Sequence, residues 1–399
     1  MTLRFGLCLK YVLSAFVLLG FVGCESKPVA AKAAPKAFVV SASNEAEVEA
    51  VLVSLVKSIK EKDMSAIGAA FATEAFVDKV LEGAAVNSKD LRQFKVGMIQ
   101  GIDAPSGGLG RAYVGVIHAQ SLGVREINGV KRGCIRIDLE SGGSDYLFFD
   151  LKRGGDGSLK IMDQYFFTKM TWHSEESRQL ITPMLAELAK TPVEKIFSKG
   201  DEEAEENVSK MVSFLAASQE GDPAKTVALY FKLSPRAQKL RGPWMVYLAC
   251  LEAGSDAYFA EVAKIEAAFP EDPGLAFTLM DASYYAEDYE GAARRLAIVE
   301  SAIGEDSFLY LARANLHHLN GETEEALVAA KKAQKLDPAG EDPYWTLLTM
   351  SLAAGKSDTF LDTMKLFEKN FDFEMTEEHF DPDFFSQMME FPEIKAAFK

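Results

Sequence analysis

Tyr310-Leu-Ala-Arg-Ala-Asn-Leu-His-His-Leu-Asn-Gly321-Glu-Thr-Glu-Glu-Ala326-Leu-Val-Ala-Ala-Lys-Lys-Ala333-Gln-Lys-Leu-Asp-Pro338 reads as two amphipathic runs, separated by a glycine and stopped by a proline. Gly321 and Gly355 lie 34 residues apart, as do Ala292 and Ala326, and Pro270 and Pro338 are two such intervals apart. A fixed interval of this size marks a stacked helix-turn-helix unit. Two antiparallel helices need small side chains where their backbones approach, and the chain must stop before the next pair. Such a stack offers an extended concave surface, which points first to binding another protein.

The period divides the second half into units starting near 205, 239, 273, 307 and 341. In the fourth unit Tyr310, Ala314, Gly321, Ala326, Ala333 and Pro338 occupy the places of an aromatic, a small residue, the inter-helix turn, two small packing residues and the terminal proline. The third supplies Tyr289, Ala292, Leu296 and Val299, with Glu287 in place of glycine and Gly304 in place of proline. The fifth supplies Leu347, Leu348, Gly355, Met364 and Phe367. The second has Val246, Ala249 and Pro270, and the first Val212, Ala224, Ala228 and Phe231. On these residues the region resembles the tetratricopeptide repeat, most specifically in the third and fourth units. The resemblance implies a helical solenoid over 203–371, and the Phe-rich segment 372–399 reads as its cap or as a partner-binding tail. It also implies that the first helix of each unit lines a groove. In this chain those places hold Tyr247, Phe277, Asp281, Tyr284, Tyr285, Phe308, Asn315, His318 and Trp345, with Leu251, Leu311, Leu319 and Thr349 beside them. An aromatic lining with a few polar groups suits an extended or helical peptide. Asn315 matches the asparagine with which some family members clamp a peptide carboxylate, but the accompanying lysines and arginine are missing. Ordinary packing between repeats is the alternative use of the same side chains.

Ahead of this region, apolar residues at Val48, Val51, Leu52, Leu55, Val56 and Ile59 form one helical face. Asp63 is placed to cap a second helix over Met64–Phe71, and Ala75–Leu81 and Leu91–Ile99 continue the helical character. The period then changes to two. Strands are expected over Val130–Leu139, Asp145–Lys152 and Leu159–Met170, with a fourth over Tyr113–Leu122 or Gly123–Ile127. Asn128-Gly129, Ser141-Gly-Gly-Ser144 and Gly154-Gly-Asp-Gly157 are the turns, and a helix over Ser174–Leu188 follows. Helices first and an antiparallel meander after them give an α+β domain over 44–195. This order looks like the cone-shaped nuclear-transport-factor-2-like fold, which serves binding modules and small enzymes alike. Asp163 and Tyr165, two apart on one strand, are expected to share a face with Ile161 and Phe167, where they could act as general base and oxyanion donor or form a structural pair. His118 and His173 have no metal-ligand spacing, with His173 expected at the surface or capping a helix. The loop Ser106-Gly-Gly-Leu-Gly110 lacks the Lys-Ser/Thr of a phosphate cradle. No nucleophile constellation, metal site or cofactor motif stands out.

The first 24 residues read as a lipoprotein signal, with Arg4 and Lys10 before an apolar run from Tyr11 to Val22 that is short for a membrane span. Phe21-Val22-Gly23-Cys24 resembles the bacterial lipobox, which makes Cys24 the lipidated residue; an uncleaved signal anchor is the alternative. Glu25 rather than aspartate after the cysteine favours the outer membrane of a two-membrane envelope. Residues 25–43 read as an Ala/Pro/Lys tether. Cys134 and Cys250 remain as buried free thiols rather than a disulfide framework. Removing Arg4 and Lys10 leaves 41 bases against 59 acids, a charge of −18, with thirteen acids and five lysines in 341–399. So acidic a surface repels phosphate backbones, and nucleic acid is excluded as the expected partner.

The expectation is therefore an α+β N-terminal domain followed by an all-α tetratricopeptide-type solenoid. It belongs to a lipid-anchored envelope protein, facing the periplasm or exterior, that scaffolds one or more envelope proteins or peptides. The alternative is a ligand sensor or small enzyme centred on the α+β domain.

Overall fold

The protein is described by a computed structural model covering residues 38–84, 88–103, 108–127, 129–140, 143–178, 181 and 204–398. The expected signal with Cys24, the tether as far as residue 37, Ser106, Asn128 and most of the helix expected over 174–188 lie outside the described residues. Two compact units divide the chain between Pro270 and Glu271.

In the first unit, α1 (Glu45–Lys60), α2 (Met64–Ala69), α3 (Thr73–Val80) and α4 (Ser88–Asp103) precede a five-stranded sheet. Its strands are β1 (Val116–Ile127), β2 (Val130–Leu139), β3 (Ser144–Arg153), β4 (Leu159–Phe166) and β5 (Thr171–Trp172), antiparallel in the order of the chain. Asp63 caps α2 by accepting from the Ala66 amide at 2.9 Å. Val48, Leu52, Leu55 and Ile59 bury one face of α1 with Ile135, Ile137, Leu147 and Phe149 of the sheet. The two expectations for the first strand merge into β1, whose register shifts between Ser121 and Gly123.

β4 departs from simple alternation. Asp150 opposes Asp163 but Leu151 opposes Ile161, so Met162 is an extra residue on β4. The bulge sends Ile161 to the helix-covered face with Phe166, and Asp163 and Tyr165 to the opposite one. The expected shared face of Asp163, Tyr165 and Ile161 is thereby corrected. β4 also ends at Phe166, because residues 167–170 turn to start β5. The last residues of the expected tether are docked: the Phe38 amide donates to the Leu151 carbonyl at 2.9 Å, and its ring packs on the core.

Residues 204–270 are helical: α5 (Ala204–Gln219), α6 (Pro223–Tyr230), α7 (Pro235–Gln238), α8 (Arg241–Ala249) and α9 (Asp256–Ala268). The second unit is all helical. It contains α10 (Pro273–Thr278), α11 (Met280–Tyr285), α12 (Tyr289–Ile303), α13 (Ser307–Leu319), α14 (Thr323–Leu336), α15 (Asp342–Ala353), α16 (Ser357–Phe371), α17 (Pro382–Met388) and α18 (Pro392–Ala397). The helix expected at 273 is broken at Leu279 into α10 and α11. Among the described residues no helix is long and apolar enough to cross a membrane.

One turn recurs through both helical regions. Gly221, Gly254, Glu287, Gly321 and Gly355 all sit at positive φ between a first and a second helix. At Gly321 its amide bonds to the His318 carbonyl at 3.0 Å and the next amide, of Glu322, to that of His317 at 2.8 Å. The same pair of bonds closes the turns at 221, 287 and 355. This left-handed C-terminal motif satisfies carbonyls that a helix end leaves open. Asp222, Ser255 and Asp288 then cap the second helix through their side chains. Behind the turns, Ala292, Ala314, Ala326, Ala330 and Ala333 have no accessible surface, as close helix approach requires. In the C-terminal segment Phe380, Met388 and Ile394 are buried with Tyr344, Leu348 and Phe360 of α15 and α16.

A Cβ at Gly321 would meet nothing within 4 Å, so substitution there is opposed by backbone conformation alone. We expect Gly321→Ala to lower stability by about 1 kcal/mol. Glu287→Gly relieves the left-handed strain at φ 53° but adds freedom to the unfolded chain, leaving a gain of about 0.5 kcal/mol. Urea unfolding of both variants checks the pair.

Candidate functional site

Two helices of the second unit present matching faces. α11 buries Met280, Ala282 and Ser283, which leaves Asp281, Tyr284 and Tyr285 together at i, i+3 and i+4. α13 buries Leu309, Ala312 and Leu316, which leaves Asn315, His318 and Leu319 at the same spacing. Each residue of the second set lies 34 after its counterpart in the first. Tyr285 and Leu319 are 48% and 45% exposed, so each helix displays a large apolar side chain at its end.

Burial alone pushes the Asp281 carboxyl up to about 7, with no cation offsetting it. Burial first, and then the Asp281 charge, raises the Tyr284 and Tyr285 hydroxyls. Arg295 of α12 donates to Ser283 Oγ, one residue from Tyr284. The Asn315 Nδ2 is buried with no acceptor among the described residues. A buried amide in that state costs about 1–3 kcal/mol, which a ligand carbonyl would recover.

The other expected groove residues are placed differently. Phe277 is buried and meets Phe308 edge-on with ring centroids 5.8 Å apart, so this pair joins α10 to α13. Trp345 packs against Phe367 and Phe380 at 5.5 and 5.7 Å, which ties it to the C-terminal segment. Tyr247 belongs to the first unit, stacked on Tyr230 at 4.3 Å with the 60%-exposed Phe231 at its edge. Phe231, a packing residue in the repeat pattern, is thus a surface aromatic. The structure therefore brings together Asp281, Tyr284 and Tyr285, and it sets Asn315, His318 and Leu319 at the equivalent turn.

The α+β domain holds a second cluster. Arg132, Asp150 and Asp163 form a row across β2, β3 and β4. Lys79 of α3 reaches Asp150 at 2.9 Å and Asp163 at 3.0 Å, and Arg132 Nε donates to Asp150 at 2.8 Å. Both cations lie over the Trp172 ring, at 4.4 and 4.9 Å. Asp163, with no accessible surface, also accepts from the Ser174 hydroxyl at 2.6 Å and from the amides of Gln164 and Ser174. Burial pushes its carboxyl up, and Lys79 and Ser174 offset part of that. Burial likewise pulls the Lys79 ammonium down, but Asp163 and Asp150 outweigh it and hold it above its ordinary value. Two cations against two carboxylates make a closed structural network. The Asp163 carboxylate accepts four hydrogen bonds or ion-pair contacts and has little capacity to take a substrate proton.

His173 is not a surface residue. Its ring packs on Phe76 and Phe166 at 5.1 and 5.7 Å, its Nδ1 lies 3.2 Å from Gln164 Nε2, and burial pulls it down to about 3. His118 pairs with Asp138 at 2.9 Å across β1 and β2. Among the described residues no three His, Cys, Asp or Glu side chains are grouped to hold a metal ion. Cys134 and Cys250 are free thiols; Cys134 is buried as expected, whereas Cys250, expected to be buried too, is only partly so. No protein-family model matches the chain, and no curated protein matches it.

The Asp281 carboxyl titrates near 7 in the fold against an ordinary 3.8. Between those values the folded chain binds a proton that the unfolded chain releases, so stability falls as pH rises through the window. The loss is complete above pH 7. We expect Asp281→Asn to melt higher than the parent protein above about pH 7 and to converge with it below about pH 4. Thermal melts across that range read the difference directly.

Proposed function

We propose that the chain is a membrane-anchored envelope lipoprotein that holds a partner protein in a groove built by tetratricopeptide-type helix pairs. The observation that carries this reading is the recurrence of one left-handed turn per helix pair, at 221, 254, 287, 321 and 355. Left-handed turns 33 or 34 residues apart, with buried alanines such as Ala292, Ala326 and Ala333 in the helix pairs, are what a stacked solenoid demands. Its inward helices would then offer Asp281, Tyr284, Tyr285, Asn315 and His318 to a peptide. The unsatisfied Asn315 amide and the exposed Tyr285 and Leu319 support occupation of this face by another chain. In this reading Cys24 carries the lipid and residues 25–37 tether the body. The α+β domain, of nuclear-transport-factor-2-like order, separates the tether from the helix pairs along the chain. In an envelope with two membranes, Glu25 favours the outer one. A catalytic role centred on Asp163 has no comparable support, because Lys79, Ser174 and two amides already occupy that carboxylate.

In-cell cross-linking followed by affinity capture tests the reading. The parent protein is compared with a Tyr284→Ala, Tyr285→Ala, Asn315→Ala variant and with Cys24→Ser. We expect the parent to recover one envelope protein, the triple variant to lose at least about ten-fold of it, and Cys24→Ser to leave the membrane fraction. Recovery that ignores the triple variant would overturn the groove.

A further inference from the structure

The charge of this protein is concentrated in one unit. Residues 271–399 hold 26 acidic and 11 basic residues, a net −15, whereas residues 1–270 hold 33 and 32. Nearly all of the chain's charge of −16 therefore belongs to the unit that carries α11 and α13. Several of its bases are already engaged away from Asp281. Arg313 pairs with Glu300, Lys332 with Glu305 at 2.7 Å, Lys356 with Glu324 at 2.8 Å, and Arg294 lies near Asp288 and Glu290. Among the described residues Asp281 has no hydrogen-bond or ion-pair partner, although half-buried between two tyrosines on its own helix.

We propose that the occupant of the α11 and α13 face is a basic segment of a partner protein, a lysine or arginine set among apolar residues, whose cation pairs with Asp281. The proposal rests on the groove reading above and adds the chemistry of the partner. A carboxylate stripped of water and lacking a cation gains most when a ligand supplies one. Tyr284 and Tyr285 lie one turn from it on the same helix, and tyrosine rings favour a cation and can cover its aliphatic stem. The Asn315 amide is a donor awaiting an acceptor, which the carbonyl of a bound backbone supplies. Around this point the net −15 of the unit draws in a cationic partner and turns away an acidic one, so association depends steeply on salt.

The test uses the full chain in detergent and short random peptides immobilised in three pools, with a central lysine, its neutral isostere norleucine, or glutamate. We expect the lysine pool to retain at least about ten-fold more protein than the norleucine pool at low salt, an advantage that shrinks at about 0.5 M salt. Asp281→Asn should erase the lysine advantage and spare norleucine binding, and Tyr285→Ala should weaken every pool. The melting curves described above verify that Asp281→Asn is folded. Equal lysine and norleucine retention, lost in Tyr285→Ala, overturns the basic occupant and leaves the groove standing. Retention that Tyr285→Ala does not change, or no retention at all, overturns the groove and the basic occupant together.

Discussion

One residue per helix pair, held in the left-handed region, is the constraint on which the helical part of this protein depends. At 221, 287, 321 and 355 it ends the first helix, reverses the chain within a few residues, and fixes where the second helix begins. Gly221, Gly254, Gly321 and Gly355 adopt that conformation readily, and Glu287 adopts it under strain. Equal turns keep equal positions in register. Ala292 and Ala326 reach the same packing place one interval apart, and both are wholly buried. By the same rule Asp281 and Asn315 fall at the same turn of successive first helices. The polar face is thus a by-product of the period that packs the alanines.

Two buried acids show why function is assigned to the helices. Asp163 lies in a sheet enclosed on both faces, and the bulge at Met162 turns it toward Lys79 and Ser174. Each oxygen finds donors, and the network of Lys79, Arg132, Asp150 and Asp163 is balanced in charge. Asp281 is less deeply buried, and among the described residues no donor or cation offsets its burial. A completed network holds a fold together, whereas an incomplete one leaves binding energy for something outside the chain.

The parts legible in the sequence were those set by local rules. Gly321, Gly355 and the glycines around residue 155 marked their turns because few residues tolerate those conformations, and Asp63 marked its helix start because its carboxylate caps the Ala66 amide. The face of α1 and the strand over Val130–Leu139 followed from periodicity. What escaped depended on contacts made far along the chain. One extra residue at Met162 leaves an alternating pattern looking intact, yet it exchanges the faces of Ile161 and Asp163. Phe38 read as tether until the Leu151 carbonyl gave its amide a partner. His173 looked like a surface residue because its pocket is built by Phe76, almost a hundred residues earlier. Trp345 shared the aromatic character of the other groove positions, and only the C-terminal Phe380 shows where its ring is used.

The central claim is that a partner protein lies against the α11 and α13 face in the cell. A photoreactive amino acid placed at Tyr285, with a control at Val328 on the second helix α14, tests it most directly, since both side chains are well exposed. The account predicts one discrete adduct with an envelope protein from position 285 and none from position 328. Adducts of equal yield at the two positions, or none at 285, would contradict it.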